Sequence, residues 1–210
     1  MEHIGDDTTG AVTGAGSAGG AARYGSVAQA IHWLVVALAM IVVSLGLAAG
    51  SAPLNRPLHS NLLLAHRSFG LTILAVMVFR VLWRWRHPSP PLPPSVARLE
   101  AGLAHLTQLG LYVIFIIMPL AGYLASAAAG HTGSFLGLFE IPQLVPTDER
   151  MSQWAIAVHL VGQYVVYLLV AVHVMGAIYH AAIRRDEVLD RMLPRGGARF
   201  GANPERWRRG

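Results

Sequence analysis

The chain has 210 residues, of which 54% are hydrophobic and only 13% are charged, and its mean hydropathy is +0.47. Soluble domains carry about 25% charged residues, so this composition indicates a membrane protein. The chain contains no cysteine, which excludes disulfides, iron–sulfur clusters and any metal site that needs a thiolate. Its net charge is +5 and all sixteen basic residues are arginine. Because these arginines flank apolar runs, they are interpreted as topology signals, and no nucleic-acid binding is expected.

Four apolar runs of membrane-spanning length follow one another along the chain. They cover residues 27–49, 62–85, 103–125 and 154–183. A hydrocarbon core of about 30 Å needs about 20 helical residues, so each run can cross the bilayer once. Short links between successive runs predict an all-α fold, an integral membrane antiparallel four-helix bundle. The interior of such a bundle is a common location for cofactors.

The segments around these runs differ in composition. Residues 1–22 are rich in Gly, Ala, Thr and Ser, and we expect a disordered N-terminal tract. Residues 23–185 are expected to form one four-span domain, followed by an Arg-rich tail at 186–210 that either lies on the cytoplasmic surface or is disordered. The loop at 126–153 contains enough apolar side chains to predict either a short interfacial helix or a lid over the bundle.

The arginines are distributed unevenly over the connecting segments. Arg23, the loop from 84 to 98 and the tail lie on one side of the membrane, whereas Arg56 and Arg150 are nearly the only cations on the other. By the positive-inside rule, both termini are predicted to be cytoplasmic.

Two histidines, His159 and His173, lie inside the fourth run on nearly the same helix face. They are fourteen residues apart, which is about 21 Å along a helix axis at about 1.5 Å per residue. An imidazole in hydrocarbon needs a partner, so an intramembrane histidine is interpreted first as a functional residue. A buried metal that accepts neutral imidazole nitrogen would be such a partner.

The predicted topology places further histidines at matching depths. His32 and His173 both lie roughly 13 to 17 Å from the arginines at the cytoplasmic ends of their runs. His66 and His159 both lie near the outer starts of their runs. The spacing therefore predicts two bis-histidine layers, one toward each membrane surface. Such layers suit two b-type haems, because an iron porphyrin takes axial ligands on opposite faces.

Each assignment has an alternative. A lone histidine in an apolar helix is more often a hydrogen-bonded packing or pore residue than a ligand. Metal ligation is favoured only because four histidines match pairwise in depth. His105, at the cytoplasmic start of the third run, could replace His32 or serve a quinone or a haem propionate. Arg80, about 20 Å inward of His66, would bind propionates of the inner haem or snorkel to the interface. Arg67 would serve the outer haem similarly.

Several short motifs occur together between residues 23 and 185. They read Arg23-Tyr24-Gly25, Ile31-His32-Trp33, Ala65-His66-Arg67-Ser68-Phe69-Gly70, Arg80-Val81-Leu82-Trp83-Arg84 and Pro119-Leu120-Ala121-Gly122-Tyr123, with His159 and His173. In combination they resemble the bacterial cytochrome b561 family of four-span di-haem proteins. The resemblance implies two haem b groups, ligated by His32 with His173 and by His66 with His159, in a multi-pass protein of the bacterial inner membrane.

The resemblance also implies a function. One branch of the family, superoxide oxidase, is similar in size and topology and passes electrons from periplasmic superoxide to ubiquinone. We therefore expect electron transfer across the membrane between a periplasmic one-electron donor, either superoxide or a redox protein, and the quinone pool. Two other functions stay open. One is the cytochrome b subunit of a periplasmic dehydrogenase or hydrogenase, and the other is a haem-free transporter or channel lined by the histidines and arginines.

Overall fold

The computed structural model describes residues 23–92 and 96–194. Within this part the chain forms four long helices: α1 (Ser26–Ser51), α2 (Pro57–Arg86), α3 (Arg98–Ala128) and α4 (Glu149–Tyr179), which continues as a π-helical turn (His180–Arg184). All four are long and apolar enough to cross a membrane. The predicted all-α membrane bundle is thereby confirmed. The predicted N-terminal tract and most of the predicted tail lie outside the described residues.

The helices begin a few residues before the predicted apolar runs, where the sequence supplies starting signals. Pro57 occupies the first turn of α2, where its missing N–H leaves no helical hydrogen bond unmade. At the start of α3, the Glu100 carboxylate accepts a hydrogen bond of 3.1 Å from the Ala97 N–H. At the start of α4, the Asp148 carboxylate accepts one of 2.9 Å from the Met151 N–H. These polar caps extend α3 and α4 beyond their apolar runs.

The four helices pack as two helical hairpins: the first is α1 with α2 and the second is α3 with α4. The two hairpins contact each other through α2 and α3. α1 packs on α2, α2 on α3, and α3 on α4, whereas no Cα atom of α4 lies within 8 Å of one in α1 or α2. An apolar cluster between α1 and α2 is built from Ile31, Val35, Leu38, Ile73 and Met77. Many other large apolar side chains are exposed on the outer helix faces, as expected for contact with lipid. Side chains, and not backbone packing, therefore span the space between α4 and the first hairpin.

The loop between α3 and α4 folds as a small β-hairpin. Its strands, β1 (Ser134–Phe135) and β2 (Phe139–Glu140), are antiparallel. Residues 136–138 join them, and Leu136 and Gly137 have φ of 48° and 76°, the sign pattern of a type I′ turn. The Leu136 N–H donates a hydrogen bond of 2.9 Å to the hydroxyl of Ser68, which is buried on α2. The prediction of an interfacial helix is wrong, and the loop instead rests as a cover on the N-terminal half of α2.

The segment after the π-helical turn, residues 186–194, folds back onto the start of α1. The Gln29 side chain donates a hydrogen bond of 3.0 Å to the Arg191 carbonyl, and the Trp33 indole donates one of 3.0 Å to the Met192 carbonyl. Arg191 itself is buried. The predicted surface tail therefore starts as a packed part of the bundle. Sequence reasoning missed this contact because it uses main-chain carbonyls, which every residue carries.

Candidate functional site

Two histidine pairs lie between α4 and the first hairpin. The imidazole of His173 faces that of His32 on α1, with ring centroids 6.2 Å apart and an interplanar angle of 68°. The imidazole of His159 faces that of His66 on α2, at 5.9 Å and 84°. All four side chains are half-buried. The structure thus brings together the two pairs that their depths predicted, and each pair crosses the gap that the helix backbones leave.

The ring spacing within each pair is the one that a shared metal ion requires. A metal–imidazole bond is about 2 Å long and the ring centre lies roughly 1 Å behind the bonding nitrogen, so two imidazoles on opposite sides of one ion have centres about 6 Å apart. No hydrogen bond joins the two rings of either pair among the described residues. The residues present therefore fit a haem iron with two axial histidines.

Main-chain carbonyls orient both imidazoles of the outer pair. Nδ1 of His66 donates a hydrogen bond of 2.9 Å to the Val42 carbonyl on α1, and Nδ1 of His159 donates one of 2.9 Å to the Met118 carbonyl on α3. A carbonyl only accepts, so Nδ1 carries the ring proton and Nε2 keeps its lone pair in the neutral imidazole. Histidines that ligate metals are typically oriented in this way.

The inner pair has a charged neighbour. A guanidinium nitrogen of Arg80, Nη2, lies 3.1 Å from Nδ1 of His32, and Nε of Arg80 donates a hydrogen bond of 3.0 Å to the Tyr112 hydroxyl. The Arg80 side chain thus points toward the inner pair instead of snorkelling to the interface. Because a guanidinium only donates, Nδ1 of His32 is the acceptor in this contact. If His32 held a metal through Nε2, its ring proton would be on Nδ1, and Arg80 would then have to release this contact.

The other two predicted site residues make their hydrogen bonds away from the ring pairs. The Arg67 guanidinium donates a hydrogen bond of 3.1 Å to the His131 carbonyl, so it ties the outer loop to α2 next to His66. His105 is exposed, and its Nδ1 donates a hydrogen bond of 2.7 Å to the Ala101 carbonyl of its own helix. The structure does not bring His105 to the inner pair. His32, and not His105, is the histidine that faces His173.

A pocket opens beside the inner pair at the end of the bundle where α1 begins and α2 ends. It is open to the outside, and its wall includes Arg80, Trp83, Arg84, Tyr112 and Met192. The guanidinium carbons of Arg80 and Arg84 lie 5.3 and 5.7 Å from the centre of the Tyr112 ring. The pocket therefore combines aromatic surface with several hydrogen-bond donors.

Sequence reasoning missed the groups that orient the site. Val42 and Met118 act through main-chain oxygen atoms, for which a sequence carries no signal. Tyr112 is one of several polar side chains in the third run, and only its register against Arg80 distinguishes it. Ser68 stands directly after Arg67, but its contact with the outer loop depends on how that loop folds.

The fold and the site together define a class: a four-helix membrane protein with two facing histidine pairs between its helices. Residues 23–195 match the model of the family described as prokaryotic cytochrome b561. The chain belongs to this family of haem-binding membrane electron-transfer proteins, as its motifs indicated, and it is a multi-pass protein of a bacterial membrane. Family membership also argues against a haem-free transporter or channel.

Three relatives match most of the chain. The chain is 30% identical over 173 residues to the probable superoxide oxidase CybB of Yersinia pestis, which is 82% of this chain and 97% of that protein. It is 29% identical over 179 residues to cytochrome b561 homolog 2 of Escherichia coli (strain K12), which is 85% of this chain and 95% of that protein. Cytochrome b561 homolog 1 of the same strain is 25% identical over 173 residues, which is 82% of this chain and 98% of that protein.

Proposed function

We propose that the protein is a di-haem b-type cytochrome that carries electrons between a periplasmic one-electron donor and the quinone pool. The observation that carries the proposal is the presence of two facing histidine pairs at two depths, both using α4. Their α4 members are fourteen residues apart, or about 21 Å along the helix. Two carriers at this separation would divide a hydrocarbon core of about 30 Å into shorter electron-transfer steps.

His32 and His173 are the proposed ligands of the inner haem, and His66 and His159 those of the outer haem. When bound, haem supplies the one-electron redox chemistry. The chain would supply imidazole nitrogen atoms to hold it, an apolar surrounding, and different polar neighbours at the two depths. The outer pair is held by neutral carbonyls, whereas the inner pair lies beside the cation of Arg80.

Both termini are proposed to be cytoplasmic, which places the β-hairpin in the periplasm. Because the chain has no cysteine, single introduced cysteines can report the orientation. Leu138 on the hairpin and Leu99 at the start of α3 are both strongly exposed. In intact spheroplasts, we expect a membrane-impermeant maleimide to label Leu138→Cys, and to label Leu99→Cys only after the membrane is opened. The reverse labelling pattern would overturn the proposed orientation.

Superoxide is the proposed donor and ubiquinone the proposed acceptor. The name of the Yersinia pestis relative supports the donor. On the outer side, Arg56 and Arg67 provide positive charge, and Glu140 in the adjoining loop and Glu149 at the start of α4 oppose it. An anion attracted by cations arrives more slowly when salt screens the field. The reaction with superoxide should therefore be sensitive to ionic strength.

The direct test is quinone reduction by the purified protein with enzymatically generated superoxide. We expect quinol to form, the haem bands to become reduced transiently, and the rate to fall several-fold as salt rises from about 0.05 to about 0.5 M, where the Debye length shortens to a few Å. Added superoxide dismutase should abolish the reaction. Quinol formation that continues in the presence of the dismutase would exclude superoxide as the donor.

The pocket beside the inner pair is the proposed quinone site. Trp83 and Tyr112 offer aromatic surface to a planar ring, and Arg84 offers N–H donors to a quinone oxygen. The pocket also adjoins Arg80, which contacts both His32 and Tyr112. A quinone in this position would be next to the inner electron carrier, as its reduction requires.

One observation favours a second candidate function, that of a cytochrome b subunit for a periplasmic dehydrogenase or hydrogenase. Leu138 and Phe139 of the β-hairpin and Leu144 after it are exposed. An apolar surface of this kind at the outer end of the bundle could bind a partner protein. Co-purification of a redox enzyme in mild detergent would support this function. Full activity of the isolated chain with superoxide would exclude the need for such a partner.

A further inference from the structure

Each histidine of the outer pair lies against a glycine of the neighbouring helix. Nδ1 of His66 donates to the Val42 carbonyl at 2.9 Å, and Gly46 lies four residues after Val42 on α1. A Cβ atom added to Gly46 would lie 2.9 Å from Cε1 and 3.1 Å from Nδ1 of the same imidazole. The ring therefore occupies the space that any other side chain would need.

The second hairpin repeats this arrangement. Nδ1 of His159 donates to the Met118 carbonyl at 2.9 Å, and Gly122 lies four residues after Met118 on α3. A Cβ atom added to Gly122 would lie 3.1 Å from Cε1 and 3.2 Å from Nδ1 of that imidazole. In both hairpins the second helix thus inserts its histidine between a carbonyl and a glycine of the first, a repeat that the sequence does not reveal.

The spacing of four residues has a physical reason. In an α-helix, the carbonyl of residue i accepts a hydrogen bond from the N–H of residue i+4, and its second lone pair stays available to a neighbour. With glycine at i+4, an imidazole can lie flat enough against the helix to reach that lone pair. Neither glycine has a positive φ, and a glycine within a helix is destabilising. Backbone conformation therefore does not explain these two glycines, whereas space for the imidazole does.

We propose that Val42 with Gly46, and Met118 with Gly122, form two carbonyl–glycine seats that position the outer haem ligands and fix their tautomer. This inference rests on the proposed assignment of His66 and His159 as those ligands. Each seat holds the ring proton on Nδ1 and leaves Nε2 free to face the partner ring. The seats are a property of the outer pair, since at the inner pair Nδ1 of His32 contacts Arg80.

The seats have two expected effects on the outer haem. They orient the two rings, whose planes are 84° apart, and they raise the basicity of each ligand, because an Nδ1–H bonded to a carbonyl donates electron density to the ring. A more basic ligand stabilises the oxidised iron. Disruption of a seat should therefore weaken haem retention, change the low-spin ferric signal, and raise the midpoint potential of any outer haem that remains.

The test compares Gly46→Ala and Gly122→Ala with two matched controls, Gly50→Ala on α1 and Gly102→Ala on α3. A Cβ atom added at either control position meets no other atom within 4 Å among the described residues. All four substitutions raise helix propensity, so an effect on helix stability alone would make them behave alike. We expect the two seat variants to fall from about two haems per chain to about one, and the controls to keep both.

Haem content, the low-temperature EPR spectrum and a redox titration provide the readouts. Retention of the inner haem shows that a seat variant has folded, so loss confined to the outer haem supports the seats. If the seat variants retain both haems, with EPR signals and potentials identical to those of the controls, the proposed seats are overturned.

If a seat variant does not accumulate, proton ENDOR of the unmodified protein is the alternative test. The absence of hydrogen-bonded Nδ1 protons on the outer ligands would overturn the inference. Haem-free unmodified protein would instead overturn the proposed function.

Discussion

Replacement of His173 by alanine is expected to remove the inner haem and leave the outer one, so that the haem content of the purified protein falls by about half. His159→Ala should remove the outer haem and leave the inner one. Each substitution deletes one of the two facing imidazoles that the structure places around a common centre. Alanine is a good helix former, so α4 itself should persist. A haem assay and a reduced-minus-oxidised spectrum measure the result.

The matched control for these variants is His105→Ala. His105 is an exposed histidine that bonds only within its own helix, so this variant should retain both haems with unchanged spectra. Retention of two haems in either His159→Ala or His173→Ala would refute the ligand assignment. If His105→Ala loses haem and His32→Ala retains both haems, the inner haem ligand is His105 on α3 and not His32 on α1.

Replacement of Arg80 by glutamine is expected to lower the midpoint potential of the inner haem by roughly 60 mV, which is a tenfold change in a one-electron equilibrium. The reason is electrostatic: reduction adds one negative charge at the iron, and a cation beside the inner pair favours that reduced form. The Arg80 guanidinium lies 3.1 Å from the His32 ring. A redox titration followed in the haem bands separates the two potentials.

The control for the Arg80 variant is Arg86→Gln, which removes an exposed arginine from the end of the same helix. Its charge faces water and is screened, so the inner potential should move far less. The outer potential should be almost unchanged in both variants, because Arg80 and Arg86 lie about 20 Å or more beyond His66 along α2. Equal shifts of both haems in Arg80→Gln would contradict a local effect of this cation.

The number of spans, their approximate limits and the depth of each histidine could be predicted from the sequence. These features depend on quantities that do not vary with tertiary structure: the thickness of the hydrocarbon core, the rise of a helix per residue, and the cost of placing arginine in lipid. For the same reason, the matching depths of His32 with His173 and of His66 with His159 could be predicted without the helix packing.

The sequence was least informative where a side chain's direction or a main-chain contact mattered. Depth favoured His32 over His105, because His32 lies deeper, but the two levels are close and only the rotation of each helix separates an inward ring from an outward one. The outer loop was expected to be a helix or a cover, and the type I′ turn at Leu136 and Gly137 made it a β-hairpin.

By itself, the sequence determined that this is a four-span protein with imidazoles at two levels of the membrane, since composition and helical spacing report depth. Only the tertiary structure decided which groups surround those imidazoles. The seats of His66 and His159 are carbonyls, which all residues possess, beside glycines that could equally serve helix packing. Such groups acquire their role only when two helices pack in a particular register and with a particular rotation. The order of residues along a single helix determines neither the register nor the rotation.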